Sequence, residues 1–327
     1  MEDLIDNFSN QLKEGLQIGR EAKLGFSGKI FKNAVICGLG GSGIGGTIVA
    51  ELTQDSANVP VTVCKDYFLP NFVSEDTLVI ASSYSGNTEE TLFALDAALK
   101  KGATAVCISS GGKLIEVAKE KNLLHIIIPG GHPPRACLGY SLVQLLFVLK
   151  ASGIISHNFE SELESAISLL QTEGVSVKTK AQKIAEEISG KLPVIYSVAG
   201  FEGVAVRFCQ QINENAKLLC WHNVIPEMNH NELVGWHDQN DSLVVLVLRN
   251  ETDFDRSQSR IEHNKSIISK KAGAFIEIFS KGESKLERML YLIHLTDYVS
   301  LFLANKRGVD VVEVKVIEGL KDMLSKL

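Results

Sequence analysis

The stretch AVICGLGGSGIGG, residues 34–46, runs from an apolar, β-rich segment directly into a cluster of glycines. Short apolar runs of the same β type follow it at Val59–Cys64, Leu78–Ala81, Ala105–Ile108 and His125–Ile128. Between and after these runs, helical periodicity marks Thr88–Lys101, Lys113–Lys121 and Tyr140–Leu149. Short strands that alternate with helices predict βαβ units, in which parallel strands form one sheet with helices on both faces.

The second half of the chain repeats this plan. Strand-like runs stand at Val194–Ser197, Leu243–Leu248 and Phe275–Phe279, and helical periodicity marks Phe159–Ser189, Val204–Leu219, Leu286–Asn305 and Val314–Leu327. Two halves with one plan predict a duplicated α/β domain. Because domains usually contain about 100–200 residues, the length of 327 residues also favours two domains. We place the first at residues 1–155 and the second, with its helical connection, at residues 156–327.

Composition and charge narrow the class of function. Hydrophobic residues make up 45% of the chain and charged residues 22%, as in ordinary globular domains. The net charge of -6 offers no basic surface for nucleic acid, although backbone amides and a few cations can still bind an anionic substrate. The six cysteines form no C-x-x-C pair and no zinc ligand set. No run approaches the roughly 20 apolar residues of a membrane span, and residues 1–10 lack the features of a signal peptide, so we expect a cytoplasmic protein without a metal.

The glycine cluster is compatible with two kinds of ligand. Gly38, Gly40 and Gly43 satisfy the G-x-G-x-x-G pattern between a strand and a helix, which is the fingerprint of dinucleotide binding. A nicotinamide enzyme also needs an acidic residue at the end of the second strand. Here Lys65 occupies that end, and Asp66 lies a little beyond the usual distance. The sequence of this loop alone does not decide between three interpretations: a phosphate site, a dinucleotide site and a glycine turn without a ligand.

A second polar loop follows the third strand, with the sequence SYSGNTEET at residues 83–91. Its hydroxyls are dense, Gly86 allows an unusual backbone turn, and Thr88 or Asn87 is a suitable N-cap for the next helix. Hydroxyls and free N–H groups at the start of a helix can bind a small anion, although a simple capped helix would show the same residues. Ligands of open parallel sheets bind outside the carboxyl ends of the strands, so we expect both loops to face one crevice.

Several motifs of the chain resemble those of a known family. The serine-rich loop resembles the phosphate loop of sugar isomerase (SIS) domains. The chain resembles the bifunctional phosphoglucose/phosphomannose isomerases over most of its length through GGSGIGG at 40–46, PPRA at 133–136, NENAK at 213–217 and PEMNHNE at 226–232. The resemblance implies an α/β fold with two SIS-type, doubly wound parallel sheets of flavodoxin-like order and an active-site cleft between the domains.

The resemblance also implies the residues that perform catalysis. Aldose–ketose isomerisation moves a proton between C1 and C2, which requires a base and positive charge near the developing oxyanion. Glu214 matches the catalytic base of the family, and His230 matches the residue that assists ring opening from the neighbouring subunit of a dimer. Arg135 is a candidate to stabilise the enediolate. The family's functional lysine near the C-terminus falls on Lys321, with Lys315 as a competitor.

The phosphate of the substrate is assigned by resemblance to the two polar loops, with hydroxyls and one backbone amide as ligands: Gly41, Ser42, Ser83, Ser85 and Thr88. No cofactor is implied, and the expected partners are small sugar phosphates and a second copy of the chain. The expected reaction interconverts glucose 6-phosphate, and also mannose 6-phosphate, with fructose 6-phosphate. These two aldoses share one enediol and differ only in the face of C2 that receives the proton.

Two other classes of function remain as alternatives. A non-catalytic SIS module would bind a sugar phosphate as a sensor, but it would have no need for Glu214 and His230. A nicotinamide oxidoreductase would use Gly38, Gly40 and Gly43, but it would have no evident need for the serine-rich loop.

Overall fold

The computed structural model describes residues 1–26, 28–324 and 326. The chain divides into two compact units. The first unit contains residues 6–172 and 281–291, and the second contains residues 1–5, 173–280 and 292–327. The division at residue 172 falls inside the long helix Phe159–Ile188, which the sequence predicted as the connection between domains.

The first unit is built on a parallel sheet of the strands β1 (Asn33–Cys37), β2 (Val61–Cys64), β3 (Thr77–Ser82), β4 (Thr104–Ser109) and β5 (Leu124–Ile127). The strands lie in the order β2-β1-β3-β4-β5, and every neighbouring pair is parallel. The direction in which the chain winds reverses between β1 and β3. Loops that follow these two strands therefore flank the point where open α/β sheets bind their ligands.

Helices cover both faces of this sheet, as the sequence predicted. They are α2 (Phe8–Glu21), α3 (Gly40–Thr53), α4 (Glu89–Lys100), α5 (Gly112–Glu120) and α6 (Leu138–Ala151), and α1 (Glu2–Asp6) precedes them. Successive side chains of a strand point to opposite faces. Accordingly Cys37 packs with Ala94 of α4 on one face, whereas on the other face a methyl group added to Gly46 of α3 would lie 2.8 Å from Ile36.

The second unit contains a smaller parallel sheet of β6 (Leu192–Val198), β7 (Trp221–Ile225), β8 (Asn240–Arg249) and β9 (Ala272–Phe279). Its order, β7-β6-β8-β9, repeats the order of the first four strands of the first sheet, which supports the predicted duplication. The remaining helices are α7 (Phe159–Ile188), α8 (Glu202–Ala216), α9 (Glu232–Gly235), α10 (Asp255–Ile268), α11 (Lys285–Arg307) and α12 (Lys315–Leu324).

The predicted strands are all present with ends shifted by a few residues, whereas two helix ends are corrected. Helix α8 was expected to reach Leu219 but ends at Ala216, because Lys217 adopts the left-handed conformation with φ of 54°. The C-terminal helix was expected over 314–327 and spans Lys315–Leu324. Ser325 and Leu327 lie outside the described residues. No helix in the described part of the chain is long and apolar enough to cross a membrane.

Candidate active site

The serine-rich loop after β3 is closed by its own hydroxyls. The Ser83 and Thr88 hydroxyl oxygens lie 2.8 Å apart, and Ser83 Oγ also accepts a hydrogen bond from the Gly86 N–H at 3.1 Å. Thr88 occupies the N-cap position of α4, but its side chain makes no cap hydrogen bond within the described structure. Thr88, one of the two residues predicted for the N-cap, therefore occupies that position, but its hydroxyl bonds to Ser83 and not to an N–H group of α4.

The glycine loop after β1 contacts this serine-rich loop directly. The Tyr84 N–H donates to Ser42 Oγ at 3.2 Å, and both Ser42 and Ser83 are buried. Ser85 is exposed, and its Oγ accepts a hydrogen bond from the Asn87 N–H at 3.3 Å. The two loops thus lie together where the winding of the sheet reverses, as the sequence predicted.

Two features make the start of α3 suitable for an anion. The N-cap position is taken by Leu39, which has no polar side chain, and the first N–H groups of a helix have no acceptor within it. Lys65 lies beside the same loop, since a methyl group added to Gly43 would lie 3.7 Å from Lys65 Cε. A cation therefore stands where a nicotinamide enzyme needs an acid, which weakens the dinucleotide interpretation.

The loop after β4 supports the serine-rich loop from the other side, and the sequence analysis missed it. The hydroxyls of Ser109 and Ser110 donate to the Tyr84 carbonyl oxygen at 3.3 and 2.7 Å. Gly86 has φ of 71°, and a methyl group added to it would lie 1.9 Å from the Gly111 carbonyl oxygen. The signal was present as a Ser-Ser-Gly-Gly run at the carboxyl end of a predicted strand.

Arg135 lies in a fourth loop at the same edge of the sheet, in the 3₁₀ helix Pro134–Ala136, and its side chain is buried. A methyl group added to Gly41 would lie 3.1 Å from the Pro134 carbonyl oxygen, so the glycine loop runs close beside this helix. Gln11 secures the loop from α2 by donating to the Ala136 carbonyl and accepting from the Gly139 N–H. The structure therefore brings Gly41, Ser42, Ser83, Thr88 and Arg135 together at one edge of the first sheet.

Tyr84 joins this fourth loop to the serine-rich loop. Its hydroxyl oxygen accepts a hydrogen bond from the His132 N–H at 3.3 Å. Burial raises the pKa of the Tyr84 hydroxyl well above its ordinary value, and a hydrogen bond with Cys137 adds to the effect. Tyr84 thus stays protonated and connects three loops through its backbone and its side chain.

Glu214 lies near the end of α8 in the second unit, and its side chain is half-buried. The asparagines on either side of it are both anchored. Asn213 Nδ2 donates to the Leu218 carbonyl at 2.7 Å, and Asn215 Nδ2 donates to Ser300 Oγ at 2.9 Å. The Asn-Glu-Asn motif therefore fixes the backbone on both sides of the candidate base.

The remaining candidates lie on other elements of the second unit. His230 is exposed at the end of the 3₁₀ helix Glu227–His230, which follows β7. Lys321 and its competitor Lys315 are both exposed on α12. Glu214, His230 and Lys321 thus stand on three separate elements of the second unit, whereas Arg135 and the phosphate candidates belong to the first unit.

Comparison with known proteins identifies the family. Residues 177–324 match the model of the bacterial phospho-glucose isomerase C-terminal SIS domain. The bifunctional phosphoglucose/phosphomannose isomerase of Caldicellulosiruptor bescii is 37% identical over 100% of this chain and 99% of its own. The enzyme of that name from Aquifex aeolicus is 41% identical over 90% of this chain and 91% of its own. The chain belongs to the bifunctional phosphoglucose/phosphomannose isomerase family.

This membership confirms the family predicted from the sequence motifs. The fold agrees with it, since the C-terminal domain of glucosamine-fructose-6-phosphate aminotransferase from Francisella tularensis matches with a TM-score of 0.78. That match covers 95% of this chain and 97% of the other at 15% identity, so it supports the fold alone. The SIS-type α/β fold with parallel sheets is therefore confirmed for this member of the isomerase family.

Proposed function

We propose that the protein is an aldose–ketose isomerase that interconverts glucose 6-phosphate and mannose 6-phosphate with fructose 6-phosphate. The observation that carries the proposal is the convergence of Ser42, Ser83 and Thr88 where the winding of the first sheet reverses. The similarity to a phosphoglucose/phosphomannose isomerase covers the whole chain. It supports sugar phosphates as the anions that bind at this edge of the sheet. The alternative of a non-catalytic sensor gains no support from the isomerase family.

The phosphate group of the substrate binds at this edge in our proposal. The hydroxyls of Ser42 and Ser85 donate to its oxygens, together with the backbone N–H of Gly41. Ser83 and Thr88 share one hydrogen bond, so the hydroxyl that accepts in this pair keeps its own proton for the phosphate. The first amides of α3 add a partial positive charge, which favours a dianion. The exposed Ser85 hydroxyl can reorient on binding, whereas Ser83 and Thr88 are already held in place.

The proposed chemistry begins with ring opening assisted by His230. The Glu214 carboxylate then removes the proton from C2 of the open aldose, and an enediolate forms with its negative charge on O1. The proton returns from Glu214 to C1, and the proton of the C2 hydroxyl passes to O1. C1 thereby becomes a hydroxymethyl group, and C2 becomes the carbonyl carbon of the ketose. Arg135 and Lys321 stabilise the negative charge that develops on the oxygens.

The arrangement of the subunits forms a further part of this proposal. The substrate binds in a cleft between two SIS domains, which we assign to residues 1–155 and 156–327. His230 acts from the neighbouring subunit of a homodimer. The exposure of His230 supports its action on a substrate held elsewhere. The cytoplasmic location expected from the sequence stays a prediction.

The decisive experiment is an assay in the presence of EDTA, with glucose 6-phosphate and mannose 6-phosphate offered separately and fructose 6-phosphate detected. Turnover of both sugars would support the bifunctional proposal, and turnover of glucose 6-phosphate alone would narrow the specificity. Binding of fructose 6-phosphate without turnover of either aldose would contradict the proposed catalysis and favour a sensor.

A further inference from the structure

The carboxylate of Glu232 is held by donors from two neighbouring strands. Oε1 accepts from the Tyr196 hydroxyl at 2.6 Å and from Trp221 Nε1 at 3.3 Å, and Oε2 accepts from Asn223 Nδ2 at 2.6 Å. Tyr196 belongs to β6, and Trp221 and Asn223 belong to β7, which pairs with it. Both oxygens of this side chain are therefore fixed to the sheet.

The orientation of these donors is fixed in turn. The Tyr196 oxygen accepts a hydrogen bond from Trp236 Nε1 at 3.0 Å, and both of these rings are buried. Burial raises the pKa of Tyr196 far above its ordinary value, so the hydroxyl keeps the proton that it donates to Glu232. Asn223 Oδ1 accepts from the Val224 N–H at 2.8 Å, which directs Nδ2 to the carboxylate.

The chain on the other side of His230 is anchored independently. Met228 is fully buried, and Asn229 Nδ2 donates to Asn264 Oδ1 of α10 at 2.6 Å. Asn231 Oδ1 accepts from the Glu232 N–H at 2.5 Å and so stiffens the turn. The exposed His230 thus stands on a short segment with one end tied to α10 and the other end tied to the sheet through Glu232.

We propose that Glu232 is a positioning residue, whose carboxylate holds the segment 229–232 so that the His230 imidazole is presented in one orientation for ring opening. This inference rests on the proposed function. A carboxylate accepts from all three donors without presenting a donor of its own. Glutamine has nearly the same shape, but its NH₂ group would face Asn223 Nδ2 or the pair formed by Tyr196 and Trp221. Glu232→Gln should therefore release the segment 229–232 from the sheet while the volume of the side chain stays the same.

The test compares Glu232→Gln with Asp238→Asn, which removes one charge from an exposed side chain close by. We expect Glu232→Gln to lower kcat by about 10²-fold, the typical effect of a misplaced catalytic group, while KM for the sugar phosphate stays within about threefold. In a His230→Ala background, Glu232→Gln should cause no further loss of kcat, because the effects of substituting two coupled residues do not add. Amide hydrogen exchange at residues 227–236 should accelerate in Glu232→Gln alone, and Asp238→Asn should behave as the unsubstituted protein does.

Three results would overturn the inference: a normal kcat in Glu232→Gln, an equal loss in both backgrounds, or unchanged amide exchange. If Glu232→Gln fails to fold, Tyr196→Phe takes its place, since it removes one donor and leaves the charge; a normal kcat in that variant would count against the inference. If the unsubstituted protein turns over neither sugar, the proposed function fails. Amide exchange then still decides whether Glu232 holds the segment.

Discussion

The hydroxyl oxygens of Ser83 and Thr88 lie 2.8 Å apart across the turn at Gly86. Each hydroxyl restricts the rotamer of the other, and the Gly86 N–H fixes Ser83 further. A phosphate that binds here meets side chains that are already oriented, so little conformational entropy is lost on binding. Replacing Ser83 therefore removes this partner of Thr88, whereas replacing Thr88 leaves Ser83 held by the Gly86 N–H alone.

Replacing both hydroxyls should therefore weaken substrate binding. We expect Ser83→Ala combined with Thr88→Ala to raise KM by about 10²-fold, with a smaller change in kcat. One hydroxyl of this bonded pair has its proton left for the phosphate, and a hydrogen bond to a charged group contributes roughly 1.5–3 kcal/mol. Ser168→Ala removes an exposed hydroxyl of α7 and serves as the control. Steady-state kinetics with glucose 6-phosphate measures both constants. An unchanged KM would show that the phosphate does not bind at this loop.

Substitutions at Gly86 and Gly102 together test the contact between the serine-rich loop and the loop after β4, because only Gly86 lies in that contact. Both have positive φ, 71° and 73°, but a methyl group at Gly86 would lie 1.9 Å from the Gly111 carbonyl oxygen, and at Gly102 the nearest atom would be 3.8 Å away. Gly102→Ala should lower the free energy of unfolding by about 1–2 kcal/mol. Gly86→Ala should lower it by about 1–3 kcal/mol more and should also raise KM. Urea unfolding gives both values, and equal losses would show that the contact with Gly111 does not matter.

Glu214→Gln should remove nearly all turnover and leave binding intact. The loss of a general base typically lowers kcat by about 10²–10⁴-fold, whereas the proposed phosphate ligands lie in the other unit. The measurements are kcat and the affinity for fructose 6-phosphate by calorimetry. Glu187→Gln, on an exposed position of α7, is the control. Near-normal turnover in Glu214→Gln would exclude this residue as the base.

Asp297 should be important for stability because it anchors α8 to α11. Its carboxylate accepts from Arg207 at 2.7 Å and from Gln211 at 2.9 Å, and the side chains of the ion pair are only 3% and 8% exposed. Asp297→Ala should lower the free energy of unfolding by about 3–5 kcal/mol, since it breaks a buried ion pair.

The exposed pair of Asp96 and Lys100 supplies the comparison for Asp297, with side chains 60% and 76% exposed. Asp96→Ala should change the free energy of unfolding by less than about 1 kcal/mol. Chemical denaturation of both variants tests the difference. A loss in Asp297→Ala as small as that in Asp96→Ala would contradict the anchoring role.

The sequence predicted the strands with strong apolar runs and missed elements whose signal is weaker. Strand β7 reads Trp-His-Asn-Val-Ile and has mostly half-buried side chains, because it lies at the edge of its sheet. Asn223 and the indole N–H of Trp221 donate to Glu232, a partner that no local pattern reveals. Helix α2 was also missed, although Phe8, Leu12 and Leu16 recur at helical spacing and are buried.

The candidate site was predictable as a set of loops but not as a network. The rule that ligands bind at the carboxyl ends of parallel strands correctly placed Ser42 beside the serine-rich loop. The roles of Tyr84, Gln11 and Glu232 depend on residues far away in the sequence or on neighbouring strands. Such contacts follow from tertiary packing, so motif and periodicity could not indicate them.

The loops at the carboxyl edge of the first sheet are interlocked through Tyr84, Gly41 and Gly86. Tyr84 joins the loops after β1, β4 and β5 to its own. A methyl group added to Gly86 would overlap the Gly111 carbonyl oxygen, and one added to Gly41 would lie in tight contact with the Pro134 carbonyl oxygen. These loops cannot diverge independently in evolution, because a change in one disturbs the others. A graft that transfers a single loop from a relative with different sugar preference should fail, and only the exchange of the whole set should carry the preference across.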